Sequence, residues 1–300
     1  MNNDRQHISV CICTFKRPTL LKRLLSNLES QRTESRFTHS IVVADNDPEQ
    51  SAKQIVASFA TTSKVPSVYC VEPRKNIALA RNKALEKATG EFIAFIDDDE
   101  FPVEDWLLNL LTACQQFNVA GVLGPVKPHF EEPPPRWIVK GRFCDRPEHL
   151  TGRVMEWSEA RTGNLLFRRS ILDGIPYAFS SEFGTGGEDK DFFLRMTERG
   201  NVFIWCNEGA VYETVQPNRW RRSYMLRRAL LRGKNILKHR TDRAWILMKS
   251  ALAIPIYAVV LPLTLLAGQH SFMRYAIKFC DHLGRVLAIF GINPISEREI

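Results

Sequence analysis

Strand-like and helix-like runs alternate four times in the first hundred residues, and three of the strands end in polar clusters. Residues 8–14 form a short β-branched run that reads as a buried strand. Pro18 then suits the first turn of a helix, with Leu20, Leu21, Leu24, Leu25 and Leu28 at helical spacing. Strands are expected again at 40–44, 68–71 and 92–96, with helices from about Glu49 and over 77–88 between them. Such an order predicts an α/β fold with a mostly parallel sheet, covered on both faces and wound with one hand. Ligands of these sheets bind beyond the carboxyl ends of the strands. The polar clusters 14–17, 45–47 and 97–99 fall at those ends.

The remainder is less regular. Residues 127–150 contain Glu131-Glu132-Pro133-Pro134-Pro135, which cannot be helix or central strand, and read as one long loop. A strand over 162–168, a helix over 188–199 and a strand over 211–215 follow. Hydrophobic residues make up 44% of the chain and charged residues 25%, which excludes a largely disordered protein. The seven cysteines are scattered, with no CxxC pair, as expected of reduced structural thiols in a cytosolic compartment. Cys11 and Cys13 should share one face of their strand. No GxGxxG, GxxxxGK[ST] or nucleophile-elbow serine is present, which argues against a dinucleotide enzyme, a P-loop NTPase and a serine hydrolase.

Two acidic motifs could carry chemistry. Asp97-Asp98-Asp99 repel one another unless a cation or donors compensate, and at a strand end they could hold Mg²⁺ or Mn²⁺ against substrate phosphates. A solvated acidic turn is the plainer reading of the same residues. Glu188 and Asp189 follow Gly184-Thr185-Gly186-Gly187 at a helix start. The helix dipole favours an ionised carboxylate there, as a general base requires. Asp191 reads as capping. Arg81, in Asn76-Ile77-Ala78-Leu79-Ala80-Arg81-Asn82, could reach a diphosphate or lie on the surface. Trp137, Trp157 and Trp220 could stack on sugar rings, although tryptophans more often pack in cores.

In order and spacing, these pieces resemble the family 2 glycosyltransferases of GT-A fold, from Cys13-Thr14-Phe15-Lys16-Arg17-Pro18 through Phe95-Ile96-Asp97-Asp98-Asp99 and Thr162-Gly163-Asn164 to Gly186-Gly187-Glu188-Asp189-Lys190-Asp191. The opening strand, the stretch from Gly124-Pro125-Val126 to Trp137 and residues 213–233 further resemble the ExoM-like branch, which builds bacterial exopolysaccharide repeat units on lipid carriers. The resemblance implies a nucleotide-diphospho-sugar transferase: an inverting hexosyltransferase that uses a nucleotide-sugar donor, of UDP-hexose type, and a saccharide or lipid-linked saccharide acceptor. It implies donor contacts from Thr14, Phe15, Arg17, Asp45, Arg81, Asp97 and Asp98. It implies Asp99 as ligand of a divalent metal, Mg²⁺ or Mn²⁺, and Asp189 as the base. Glu188, Gly187 and Trp137 would face the acceptor. Many relatives carry a histidine after the Glu-Asp helix; here the stretch reads Val211-Tyr212-Glu213-Thr214-Val215, so either Glu213 would substitute as a metal-side ligand or the third ligand would be absent. A sugar nucleotidyltransferase is the enzymatic alternative, and a nucleotide-sugar-binding scaffold the non-enzymatic one.

The formal net charge of +8 calls for an anionic partner. Residues 219–243 are rich in Arg and Lys, with Asp242 their single acid, and residues 250–268 carry no charge. At ~1.5 Å per residue the uncharged run approaches the ~30 Å of a hydrocarbon core, although Pro255 and Pro262 would kink it. Residues 272–292 carry Arg274, Lys278, Asp281 and Arg285 and read as an amphipathic interfacial helix. A monotopic or re-entrant anchor, a true span and a buried helix all remain open. Basic residues ahead of the apolar run put the catalytic part at the cytoplasmic face of the inner membrane. Nucleic acid is not expected, since no binding motif accompanies the charge. The expected division is a catalytic domain over 1–240 and membrane-associating helices over 241–300.

Overall fold

The computed structural model describes residues 6–184, 186–235 and 243–292. Two compact units emerge. The first comprises residues 1–127 and 146–213, the second 128–145 and 214–300. The boundary expected at 240 lies outside the described residues.

The first unit is built on a seven-stranded sheet in the order β3-β2-β1-β4-β8-β6-β9. Strands β1 (Gln6–Thr14), β2 (Phe37–Asp45), β3 (Ser67–Val71) and β4 (Phe92–Ile96) run parallel. β8 (Asn164–Arg168) is antiparallel to both β4 and β6 (Gly121–Leu123), and β9 (Phe203–Trp205) pairs parallel with β6. The two-residue period of β1 divides its side chains between the faces. Ile8, Val10 and Ile12 enter one apolar cluster with Leu21, Leu24, Leu25 and Leu28 of α1 (Pro18–Glu29) and with α4 (Trp106–Gln116). Cys11 enters the other cluster, against which Cys13 packs, beside α3 (Ile77–Lys87) and α6 (Glu188–Glu198). All seven cysteines are free thiols, as expected. A small second sheet has the order β5-β10-β7, with β5 (Glu100–Pro102) antiparallel to β10 (Val211–Thr214).

Two expectations are corrected. Helix α2 (Lys53–Thr62) begins later than Glu49, because the intervening residues fold onto Asp45. Its carboxylate accepts the backbone N–H groups of Asp47 at 3.1 Å and Ala52 at 2.8 Å. The stretch 127–150 is not one loop, since it begins within β7 (Val126–His129) and contains α5 (Arg136–Gly141). The prolines forbid helix only up to Pro135, which stands at its N-cap, where no backbone N–H is needed.

The second unit contains α5, α7 (Arg222–Asn235), α8 (Arg243–Thr264) and α9 (Gln269–Ile289). α7 and α9 approach closely at Gly284, where an added Cβ would lie 2.2 Å from the Leu230 carbonyl oxygen. Asp281 of α9 accepts two hydrogen bonds from Arg232 of α7, at 2.9 and 2.7 Å. Among the described residues one helix, Ala244–Thr264, is long and apolar enough to cross a membrane, with a mean hydropathy of 2.0.

Candidate active site

The carboxyl ends of β1 and β4 meet in a web of charge. Thr14 Oγ1 donates to Asp98 at 2.8 Å, and Arg17 donates to Asp98 at 2.9 Å and to Asp99 at 3.1 Å. Asp98 and Asp99 are buried, so the repulsion foreseen for the triplet is met by these donors. Burial raises the pKa of Asp98 and the charge of Asp99 raises it further, against the opposing pull of Arg17. Thr14, Arg17, Asp98 and Asp99 are thus brought together, and Asp99 is held by a guanidinium.

Beside them lies a second pocket wall. Phe15 is half-buried, with the ammonium groups of Lys75 and Lys16 at 4.8 and 5.8 Å from its ring centre. Lys16 holds a left-handed φ of 54° at this turn. Asp45 is engaged within its own loop. It is fully buried, and its carboxylate is taken up by the loop amides and by the Tyr69 hydroxyl at 2.9 Å, so it braces the loop. Burial, followed by the Asp45 contact, raises the Tyr69 pKa. The unpaired acceptor is two residues on: Asp47 is fully buried, its Oδ1 lies 3.8 Å from Lys16 Nζ, and its Oδ2 has no hydrogen-bond partner among the described residues.

Helix α3 pins the loop that precedes α6. Asn76 caps α3 by accepting from Leu79 N at 3.2 Å, and its amide donates to the Ser181 carbonyl at 2.9 Å. Asn82 exchanges two hydrogen bonds with the backbone of Phe179, at 2.7 and 3.0 Å. Arg81 is buried and ion-paired with Glu188, and lies 3.7 Å from Asp97. Burial works to lower its pKa, and the carboxylates of Glu188 and Asp97 overcome this and raise it. Arg81 is thereby bound to the start of α6, and Glu188, buried at 6% exposure, is its counterion. Gly186 and Gly187, at φ 122° and 100°, lead into α6 in conformations that favour glycine. Asp189 follows them half-exposed at the first turn, where its Oδ1 accepts the Lys190 N–H at 2.8 Å. Asp191 does not cap the helix, which has no side-chain cap, and instead pairs with Arg195 one turn on at 2.8 Å.

The third cluster joins Asp97, Glu100, Glu213 and Arg146. Glu213 stands opposite Glu100 in the β5–β10 ladder and is ion-paired with Arg146. Glu100 Oε2 accepts the Asp97 N–H at 3.1 Å, whereas Oε1 is buried without a hydrogen-bond partner among the described residues. Burial pushes the Glu100 pKa well up, and Asp97 adds to the rise. Asp97 is reached by solvent, yet the surrounding protein raises its pKa, against the opposing pull of Arg81. Gly163 keeps this corner open, since a Cβ there would lie 2.9 Å from Asp97 Oδ2 and 3.1 Å from Glu100 Oε1. An all-carboxylate donor set with an orphaned oxygen suits a hard divalent cation. Among the described residues no three His, Cys, Asp or Glu side chains already converge on one point. An ion held by Asp99 and Glu213 would compete with their present partners, Arg17 and Arg146.

Sequence reasoning did not single out Arg146 or Glu100, and reached Asp47 only as part of the polar cluster 45–47. Arg146 also lines a cavity of about 270 Å³ with His149, Met155, Arg161 and Trp205. Its only signal was its place in a long polar stretch. Trp137 lies in the second unit, where it packs edge-on against Phe143 with ring centres 5.4 Å apart.

A parallel sheet reversed by one antiparallel strand, with acidic residues at its carboxyl ends, is an α/β fold of GT-A type. Residues 9–176 match the family model described as glycosyl transferase family 2. The chain is 32% identical to the succinoglycan biosynthesis protein ExoM of Rhizobium meliloti (strain 1021), over 99% of this chain and 97% of that one. It belongs to glycosyl transferase family 2, in its ExoM-like branch. Among solved structures it is similar to the mannosyltransferase PcManGT from Pyrobaculum calidifontis in complex with GDP-Man and Mn²⁺, at 18% identity and a TM-score of 0.65, covering 97% of this chain and 89% of that one. It is also similar to S. aureus TarS 1-349 in complex with UDP, at 18% identity and a TM-score of 0.53, covering 96% and 93%.

Proposed function

We propose that the chain is an inverting hexosyltransferase that moves a sugar from a nucleotide-sugar, of UDP-hexose type, to a hydroxyl of a lipid-linked saccharide during exopolysaccharide synthesis. The observation that carries this reading is the N-terminus of α6. Arg81 fixes Glu188 there, and the neighbouring Asp189 stays half-exposed behind two left-handed glycines. A rigid helix start with one accessible carboxylate is what a general base needs.

In this reading Asp189 takes the proton of the acceptor hydroxyl. That oxygen attacks the anomeric carbon as the bond to the diphosphate oxygen breaks, and the electron pair leaves with the nucleoside diphosphate. Phe15 offers its face to the base, Asp47 Oδ2 accepts a base N–H, and Thr14, Asp97 and Asp98 border the ribose and phosphates. Asp99 and Glu213 would hold a Mg²⁺ or Mn²⁺ ion, which would supply positive charge to the leaving diphosphate. Arg146 would orient the saccharide beside its cavity. The relatives' names support the substrate class: succinoglycan biosynthesis for one, GDP-Man with Mn²⁺ and UDP for two others. The basic α7 and apolar α8 support attachment to the cytoplasmic face of a membrane, where lipid-linked acceptors are met.

The test is a panel of labelled nucleotide-sugars incubated with the full chain and membranes bearing lipid-linked acceptors. Sugar transfer with release of a nucleoside diphosphate is expected for at least one donor. Tight donor binding with neither transfer nor slow donor hydrolysis would leave a binding protein in place of an enzyme.

A further inference from the structure

Helix α8 has one face packed and one face bare. Trp245, Met248, Leu252, Ile256, Val259 and Leu263 recur at three- and four-residue spacing and form a single stripe, exposed from 48% at Met248 to 70% at Val259. On the opposite face Ser250 is buried, and its hydroxyl hydrogen-bonds to Nδ1 of His282 at 3.1 Å. Tyr257 packs against Tyr275 and His282 of α9, with ring centres 6.0 and 5.7 Å apart. The step from Ser250 to Tyr257 thus matches the step back from His282 to Tyr275, so α9 returns antiparallel along α8.

That return decides between crossing a bilayer and lying on one. If α8 crossed, α9 would lie in the same hydrocarbon slab with Arg274, Lys278, Asp281 and Arg285. α7, fixed to α9 through Arg232 and Asp281, would be drawn towards it. Several charges would enter lipid without a water-filled cavity to hold them, which bilayers resist. Lying flat removes the conflict. The stripe enters one leaflet, while Arg274 and Lys278 of α9, both exposed, stay in water.

Charge selects the occupant. α7 exposes Arg222, Arg227 and Arg228 besides the Arg232 that Asp281 holds, and contains no acidic residue. Anionic headgroups would complement this surface, whereas a second copy of the chain would bring an equally cationic one. Lys249 sits over the Trp245 ring at 4.6 Å, near the start of the stripe, a pairing suited to the water–lipid boundary.

We propose that the outer face of α8 docks in one leaflet of an anionic bilayer, parallel to its surface, and holds the chain on the membrane without crossing it. This rests on the membrane attachment in the reading above and specifies its geometry.

The test uses the full chain in membranes of expressing cells, as inverted vesicles and as intact spheroplasts. A membrane-impermeant sulfosuccinimidyl ester is applied to each, and lysine modification is read by mass spectrometry. Lys278 and Lys53, both exposed, should be modified in inverted vesicles and spared in spheroplasts. Lys278 spared in inverted vesicles while Lys53 reacts, or modified in spheroplasts, would overturn the flat geometry and leave attachment standing. The double variant Leu252→Glu with Val259→Glu is then floated with vesicles of phosphatidylglycerol and phosphatidylcholine. Membrane partitioning should fall by roughly a hundredfold or more, because two large apolar side chains leave lipid. Donor binding and helical content should be unchanged. Unaltered flotation would overturn the stripe as the docking face. Wild-type protein in the soluble fraction as a dimer, made monomeric by the double variant, would assign the stripe to a second copy and remove membrane attachment as well.

Discussion

Arg81 and Glu188 stand 107 residues apart in the chain and form a buried ion pair that ties α3 to the start of α6. Neither side chain is more than 8% exposed, so each depends on the other for its charge. Arg81→Ala would strand a buried carboxylate and should cost about 3–5 kcal/mol, the usual penalty for breaking such a pair from one side. Glu188→Gln keeps a hydrogen-bond acceptor and should cost less. It should still lower kcat, because α6 carries Asp189 and would lose its anchor. Thermal unfolding beside transfer kinetics separates the two effects. A Glu188→Gln enzyme with wild-type kcat would show that the pair does not position α6.

Asp189 and Asp191 share the first turn of α6 and are expected to part company on substitution. Asp189→Asn should keep donor affinity while kcat falls by roughly 10²–10⁴, the usual worth of a positioned general base. Asp191 only closes a pair with Arg195 one turn on, so Asp191→Asn should cost stability by less than about 1 kcal/mol and leave kcat nearly intact. Transfer rate and donor binding, measured for both, decide. A dead Asp191→Asn beside an active Asp189→Asn would move the base to the other carboxylate.

Glu100 makes a prediction in pH. Its folded pKa lies well above the ordinary glutamate value because it is buried among Asp97, Asp99 and Glu213. Between the ordinary glutamate range and that raised value, the folded state holds a proton that the unfolded state has released. Stability should fall as pH rises from the ordinary glutamate range through the raised value. Glu100→Gln retains an oxygen to accept the Asp97 N–H and carries no charge. Its Tm should exceed wild type at neutral pH, and the gap should close as pH falls towards the ordinary glutamate value. Added Mg²⁺ or Mn²⁺ should raise the wild-type Tm more than the variant's if the cluster holds the ion. A Tm difference that does not change with pH would mean that Glu100 is not the strained group.

The strands were legible because their side chains obey a simple period. The alternation of Ile8, Val10 and Ile12 with Cys11 and Cys13 is a two-faced strand in the sequence and in the sheet. Leu21, Leu24, Leu25 and Leu28 likewise announce the buried face of α1. Helix α5 was hidden, since six residues hold too little of a helical period and prolines precede them. The site was legible as a set of motifs, and less so as a set of partners. Arg146 meets Glu213 across 67 residues, and Arg81 meets Glu188 across 107, and no local pattern encodes either meeting. The late start of α2 has a similar cause, because Asp45 is bound by amides of its own loop, an outcome of turn geometry that composition does not reveal.

The same loop supplies the last prediction. Asp45 and Asp47 look alike in sequence, as two carboxylates flanking Asn46 at the end of β2. Asp45 is saturated by Asp47 N, Ala52 N and the Tyr69 hydroxyl. Asp47 accepts the Glu49 N–H at 3.2 Å through Oδ1, and its Oδ2 is buried with no hydrogen-bond partner among the described residues. A buried acceptor left unmade costs about 1–3 kcal/mol, which a donor N–H arriving with a ligand would recover. Asp45→Ala should therefore act on the fold, freeing the loop amides and lowering Tm, with donor affinity lost only as the loop loosens. Asp47→Ala should act on the ligand: donor affinity should fall by roughly tenfold or more, and the Tm of the ligand-free protein should hold or rise as the strain is removed. Calorimetric titration of the released nucleoside diphosphate into each variant, paired with thermal unfolding, distinguishes them. If Asp47→Ala binds the nucleotide as wild type does, the base is read by another group.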